Sequence, residues 1–499
     1  MSNSKKDASK EAKSRLLPKH GNVFWLKGFA VVAVTALFIL GGFVVLFSHP
    51  QGSGPLSTSV PATSSNSVTI TVWGSGSPGG EQHVFNSTLA YFEAQYPNIT
   101  VQDSPAINVA STNFASAAHA GNAPDVYRDT SDNAGALYAS GSVLNLSSYL
   151  NQSFVNSFTT GTIKDWTLNG ALYGVPVNTN GVGLYYNMKL VKTPPKTVYQ
   201  MLQDAANVTK NTTSTTNTSV WGMPYGLGSN YGYRAAAWFP AFGGQIFNSQ
   251  EVPVLNSSQD TSAVSFLYNL TYANKVSPKG LTSMAQEQQL FETNRSAFII
   301  DGPWDQSLYT SYLGSNLNVT ALPYDNATGH YPAPIWGSIG YFITSPQASG
   351  ITSSQIWASL KFIQFETNLT AQKNLFTKAG DFPSLKAAGA FAANQTASDP
   401  LAAGWIAQEA HTQIQPNFPQ MNFYWSNFHT YVGNLYDNGT HNVSSVMQAF
   451  QNAVVSQINQ ETATPAAPVN WTLYGGIIAA VVIVAGVGAF FYTSRKKKN

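Results

Sequence analysis

Residues 68–101 read VTITVWGSGSPGGEQHVFNSTLAYFEAQYPNITV. Val68 to Trp73 alternates β-branched residues and ends in Gly74-Ser75-Gly76. Residues 81–95 then carry Val84, Leu89 and Phe92 at helical spacing, and Ile99 to Val101 starts a second strand. Strand, glycine loop, helix, strand is the opening of a doubly wound α/β sheet. Working outward, further strands are expected near 125–127, 183–187, 297–301, 318–322 and 339–344. Helices are expected near 133–140, 197–208, 261–275, 353–366, 369–378 and 443–459. Ligands of such sheets bind beyond the C-terminal strand ends. One of those ends is AFIIDGPWD, residues 297–305, where the turn Asp301-Gly302-Pro303-Trp304 sets an indole just past a buried strand. Taken alone, such a Trp is more often a packing residue.

The chain has 499 residues, 43% of them apolar, which predicts two lobes or more rather than one core. It has no Cys, so disulfides, thiolate metal sites and Cys nucleophiles are excluded. Residues 28–48 and 471–492 are uncharged apolar spans, each long enough to cross a bilayer. Seven Lys or Arg precede or enter the first span, and Arg495 to Lys498 follow the second. Both basic ends, 1–27 and 493–499, are therefore expected in the cytoplasm, with everything between them outside the cell membrane. The first span is a transmembrane helix or signal anchor, the second a transmembrane helix. Residues 49–67 and 461–470 are linkers rich in Ser, Pro, Gly or Ala. They bound a main body at 68–460.

Between the spans lie 14 basic and 21 acidic residues, a net charge of about −7. Nucleic acid is not an expected partner, because it needs clustered Lys and Arg. So sparse a charge suits an acidic medium, where carboxylates do not stay ionised. Seventeen N-x-S/T sequons, from Asn86 to Asn470, all fall between the spans. Composition alone accounts for about eight, so the excess points to an N-glycosylated extracellular surface.

The order of motifs resembles the maltose-binding protein family, the extracellular solute-binding proteins of ABC importers. VTITVWGSGS with FEAQYPNITVQ is similar to its first strand and helix. NAPDVYRDTSDNAGALYASG (122–141) and NGALYGVPVNTNGVGLYYNMKLVKTPPKT (169–197) resemble two further segments. FGGQIFN (242–248), LFETNRSAFIIDGPWD (290–305) and QMNFYWSNF (420–428) follow in order. The resemblance covers about 68–460. It implies a two-lobed, periplasmic-binding-protein-like fold closing on a ligand about a hinge, with the two terminal helices flanking it. One lobe would hold about 68–178 and 324–343, the other about 183–318 and 348–460. Asn178–Gly183 suits the hinge.

Sugars offer C–H faces to aromatic rings and hydroxyls to polar side chains. Through the resemblance, Trp304, Trp425 and Tyr233 match stacking positions, with Arg234 beside Tyr233. Asp132 matches a carboxylate that accepts sugar hydroxyls. Asp129, Asn180 and Asn133 stand where the maltose binder has Trp, Glu and Arg, so the sugar need not be maltose. Trp73 ends the first strand beside the first loop, where Gly76, Ser77 and Glu81 are further candidates. Tyr186 and Asn187 read as structural. The eight His show no metal-ligand spacing, and no nucleotide or G-x-S-x-G fingerprint is present, so no metal or cofactor is expected.

The resemblance thus implies a membrane-anchored, extracellular carbohydrate-binding protein. It would deliver sugar to permease subunits driven by a cytoplasmic ATPase, without doing chemistry itself. One alternative is a non-sugar solute such as an oligopeptide, whose charge Arg234 could meet. A glycan hydrolase would need paired carboxylates flanking a bond, and Asp129 and Asp132 share one loop. A surface receptor that uses the fold without import is a further alternative.

Overall fold

The alternation in VTITVW produces a strand, β1 (Val68–Trp73), that buries Ile70 and Val72. The helix Gly80–Gln95 turns Val84, Phe85, Thr88 and Phe92 inward, a stripe set by its 3.6-residue period. The computed structural model describes residues 67–74, 76, 80–104, 111–210, 219–226, 231–433, 435 and 442–463, which form one compact unit. Among them no helix is long and apolar enough to cross a membrane. The expected spans 28–48 and 471–492 lie outside the described residues.

Among the described residues ten strands form two sheets, one to each lobe, and a separate two-stranded ribbon pairs Thr167–Leu168 with Ala171–Leu172. Besides β1 these are β2 (Ile99–Ser104), β3 (Val126–Thr130), β4 (Gly174–Asn180) and β5 (Gly183–Asn187). They continue with β6 (Phe298–Asp301), β7 (Leu317–Thr320), β8 (Ile335–Ile343), β9 (Phe382–Pro383) and β10 (Gln413–Ile414). The larger sheet runs β9-β4-β8-β3-β1-β2, with β10 paired to the start of β8. β1 is parallel to β2 and β3, while β8 is antiparallel to both β3 and β4. The smaller sheet runs β6-β5-β7, both neighbours antiparallel to β5.

Strand periodicity explains the smaller sheet's two cores. Leu184, Tyr186, Phe298 and Ile300 face the main core of the second lobe. Tyr185, Ile299, Leu317 and Val319 face a separate cluster with Phe376, Phe382 and Trp405. Successive side chains on a strand point to opposite faces, so both faces must be apolar.

The expected hinge is more regular than its sequence implies. Asn178 to Asn180 finish β4 and β5 begins at Gly183, leaving Gly181 and Val182 between two strands. Gly181 has a steric reason: a Cβ there would sit 2.1 Å from the Trp336 ring. The division between lobes also needs correcting. The helix Ser353–Glu366, expected in the second lobe, packs in the first. Its Ile356, Phe362 and Ile363 belong to the first-lobe core, as do Leu375, Ala379 and Leu385. Phe362 stands edge-on to Phe85, Phe92 and Tyr341, so an apolar stripe matched to the first sheet draws the segment back. The helices Met421–Val432 and Val443–Ala463 then complete the second lobe.

Candidate functional site

A cavity of about 370 Å³ opens where the lobes meet the crossing strands. That is within the range of small-ligand sites. The second lobe supplies its aromatic wall: Tyr233 from the helix Tyr231–Ala236, Trp304 from the turn after β6, and Trp425 from the helix Met421–Val432. Tyr233 stands between the two indoles, at 6.4 Å from Trp304 and 6.3 Å from Trp425 by ring centroids. Its planes are tilted about 50° from each, so the wall curves.

Local chemistry explains each placement. In DGPW, Pro303 opens a single 3₁₀ turn, where its fixed φ and missing N–H cost nothing. The indole of Trp304 then folds back over Gly302, where a Cβ would lie 2.2 Å from the ring. Tyr233 is locked by its hydroxyl, which donates to the Ile335 carbonyl at 2.8 Å and lies 3.2 Å from that of Asn180. The platform is thus tied to both crossing strands.

The opposite side is polar. Thr130 and Asp132 come from the first lobe, and Asn180 and Gly337–Ile339 from paired positions on β4 and β8. Several polar atoms here are buried without a hydrogen-bond partner: Asp132 Oδ1, both amide atoms of Asn180, and Trp425 Nε1. Trp425 Nε1 lies near the Asp132 carboxylate without reaching hydrogen-bond geometry. Buried polar groups are normally paired, so these atoms of cavity-lining residues are available to a ligand as donors and acceptors, the Asn180 amide also lying near the Asp381 carboxyl. Burial raises the Asp132 carboxyl above the usual range, opposed by nearby hydrogen-bond donors including the Thr130 hydroxyl. Ser338 also lines the cavity, but its hydroxyl is engaged: it donates to Asp165 at 2.7 Å and accepts from the Trp166 indole at 2.8 Å.

Five of the expected residues, Trp304, Trp425, Tyr233, Asp132 and Asn180, therefore come together on one cavity. Three do not. Arg234 is fully buried, and its guanidinium forks onto Glu287 at 2.6 and 3.0 Å inside the second lobe. Helical geometry turns it away from its neighbour Tyr233. Asp129 folds back on its own loop, accepting from Thr130 N at 2.8 Å and Asn133 Nδ2 at 3.0 Å. Burial, followed by the charge of Asp132, pushes Asp129 up to about 7. Trp73 packs against the first-lobe core. Of the first-loop candidates, Glu81 is a buried partner of Arg128 at 2.9 Å, Gly76 is buried, and Ser77 lies outside the described residues. Asn187 is structural, donating to Asn294 at 3.0 Å.

Sequence reasoning missed Tyr231, Phe428, His429 and Gln415 on the cavity. Phe428 was within reach, because it follows Trp425 by three residues on one helix. Gln415 carried no local signal.

A family model described as bacterial extracellular solute-binding protein matches residues 88–404. A maltooligosaccharide ABC transporter solute-binding lipoprotein of Streptococcus pneumoniae is 28% identical over 318 residues, covering 61% of this chain and 70% of that protein. A maltodextrin-binding protein of Bacillus subtilis is 28% identical over 320 residues, covering 62% and 71%. In structure, the chain is similar to the maltose/maltodextrin-binding domain of Bdellovibrio bacteriovorus, solved with maltotriose bound. The TM-score is 0.70 at 23% identity, over 79% of this chain and 100% of that domain. That likeness carries the fold alone. The family match, spanning more than half of the chain, carries the membership: the chain belongs to the bacterial extracellular solute-binding proteins.

Proposed function

We propose that this chain captures an oligosaccharide of the maltodextrin class between its lobes and delivers it to the permease subunits of an ABC importer. The observation that carries this reading is the division of the cavity. A curved wall of three rings faces unpartnered donors and acceptors at Asp132 and Asn180. Rings stack on sugar C–H faces while hydroxyls take the polar atoms. The relatives that bind maltooligosaccharide and maltodextrin support the class. Both lobes contribute contacts only when closed, so ligand shifts the population towards closure.

The alternatives lose their supporting residues. Arg234, the cation a peptide or anion would want, is committed to Glu287. Asp129 does not line the cavity, so the two loop carboxylates do not flank a bond there. On this reading the chain, like the binding proteins it resembles, captures and releases its ligand unchanged. Its spans 28–48 and 471–492 anchor it with the body outside the cell. The sequons support an N-glycosylated body: among the described residues none of their asparagines is buried, and Asn86, Asn145, Asn151, Asn207, Asn256, Asn326, Asn394 and Asn442 are exposed. Calorimetric titration of the full chain with maltose, maltotriose, cellotriose and a tripeptide mixture tests the proposal. Saturable heat with a gluco-oligosaccharide alone is expected. Heat from the peptides alone would overturn the sugar assignment.

A further inference from the structure

The last strand residue before the Trp304 turn, Asp301, is fully buried, and its second carboxylate neighbour, Asp305, closes the same turn. Asp301 Oδ1 accepts from Gly302 N at 2.8 Å, and Oδ2 takes the Tyr309 hydroxyl. Gln288 Nε2 donates to Asp305 Oδ2 at 2.9 Å and lies 3.4 Å from Asp301 Oδ2, so one amide bridges both carboxyls. Facing one donor, the two carboxyls are close enough for each charge to act on the other, and the Trp304 side chain lies beside Asp305.

Among the described residues no cation hydrogen-bonds to either carboxyl of the pair, and the positive charge that acts on Asp301 is that of Arg234. Both terminal nitrogens of Arg234 are engaged with Glu287. The other ionisable groups facing the pair are Glu287 and Glu292 from the helix Met284–Glu292, Tyr309 from the helix Gln306–Leu313, and Tyr185 from β5. On the segment packed against Pro303 stand Lys378, which contributes its carbonyl to Ser307, and Asp381, which adds a negative group near Tyr185. Two carboxylates in such a place cannot both ionise without strong repulsion. One proton between them converts the repulsion into a short charge-assisted hydrogen bond.

We infer that Asp301 and Asp305 hold one proton between them, and that this proton keeps the Trp304 platform in its stacking position, so that sugar affinity falls when the pair loses it. The inference rests on Trp304 being a ligand platform. Both residues are positioning residues, acting through the turn rather than on the ligand. Burial, followed by the Asp305 charge, raises Asp301 to about 7, and burial raises Asp305 in the same direction. The pair titrates as a unit, and the loss is read at its apparent value.

The test uses the full chain labelled with 5-fluorotryptophan, the Trp304 line being assigned by its absence in Trp304→Phe. With no ligand present, that line should move in one step near pH 7. Asp301→Asn keeps a hydrogen-bond donor without the charge and should abolish the step. Maltotriose affinity should fall about fivefold from pH 6 to pH 8, as a one-unit difference in the pair's pKa between free and bound states gives over that window. In Asp301→Asn it should stay flat. If Asp301→Asn does not fold, Asp305→Asn carries the same expectation. A Trp304 line that does not move would overturn the inference. So would a step that survives in the Asn variant, because it would belong to another group. If maltotriose binds at no pH, the sugar reading fails, while the fluorine titration still decides the pair.

Discussion

At the scale of single residues, Trp304 and Gly302 act as one unit. The indole occupies the space where any other residue at 302 would place its Cβ. Gly302→Ala should therefore push the ring off its platform position. Its loss of maltotriose affinity should approach that of Trp304→Ala, about 1 kcal/mol or more. Gly302 has φ −98°, which Ala adopts freely, so the loss is steric and the fold should hold. Calorimetry on the two variants checks this; an Ala variant binding like the parent would refute it. Arg234 should behave oppositely. Removing it leaves Glu287 buried and unpaired, at a cost of about 3–5 kcal/mol. Arg234→Ala should lower the denaturation midpoint sharply. Unchanged stability with lost binding would return Arg234 to the ligand site. The sequence carried the rings and Asp132 because their motifs are local. It could not say which way Arg234 and Asp129 turn, since their partners Glu287 and Asn133 are chosen by helix phase and loop closure.

At the scale of elements, β4 is the instructive miss. GVPVNTN has a proline and no alternation, so it does not read as a strand, yet all seven residues are buried in one. Pro176 is accommodated because it pairs opposite Gly340, where the register of β8 shifts. Strands 183–187 and 298–301 were legible because their apolar runs are short and bounded by turns. The return of Ser353–Glu366 to the first lobe was not legible, because an apolar stripe does not name the sheet it will cover. The crossing itself makes a prediction. Gly181→Ala would drive a methyl into Trp336, so overpacking should cost about 1–3 kcal/mol. Thermal unfolding measures it, and a midpoint equal to the parent's would show that the hinge has room to spare.

At the scale of the whole molecule, buried acids set the response to pH. Burial leads in raising Asp129, Asp165, Asp260 and Asp301, each from 3.8 to about 7. Between about pH 4 and pH 7 the unfolded chain ionises these groups while the folded chain keeps them protonated. The folded state binds more protons there, so stability falls as pH rises through the window. It is fully present below the unfolded value and lost above the folded one. The unfolding midpoint should therefore be higher at pH 5 than at pH 7.5. That fits the acidic medium suggested by so few surface charges. A midpoint that rises towards neutrality would contradict both.

The proposed sugar site is made of three rings and the unpartnered polar atoms of one cavity. The measurement that tests it most directly is a crystal structure of the protein grown with maltotriose. Glucosyl faces should lie against Trp304, Tyr233 and Trp425, with hydroxyls on Asp132 Oδ1 and the Asn180 amide. A sugar bound elsewhere, or bound there without touching the rings, would contradict it.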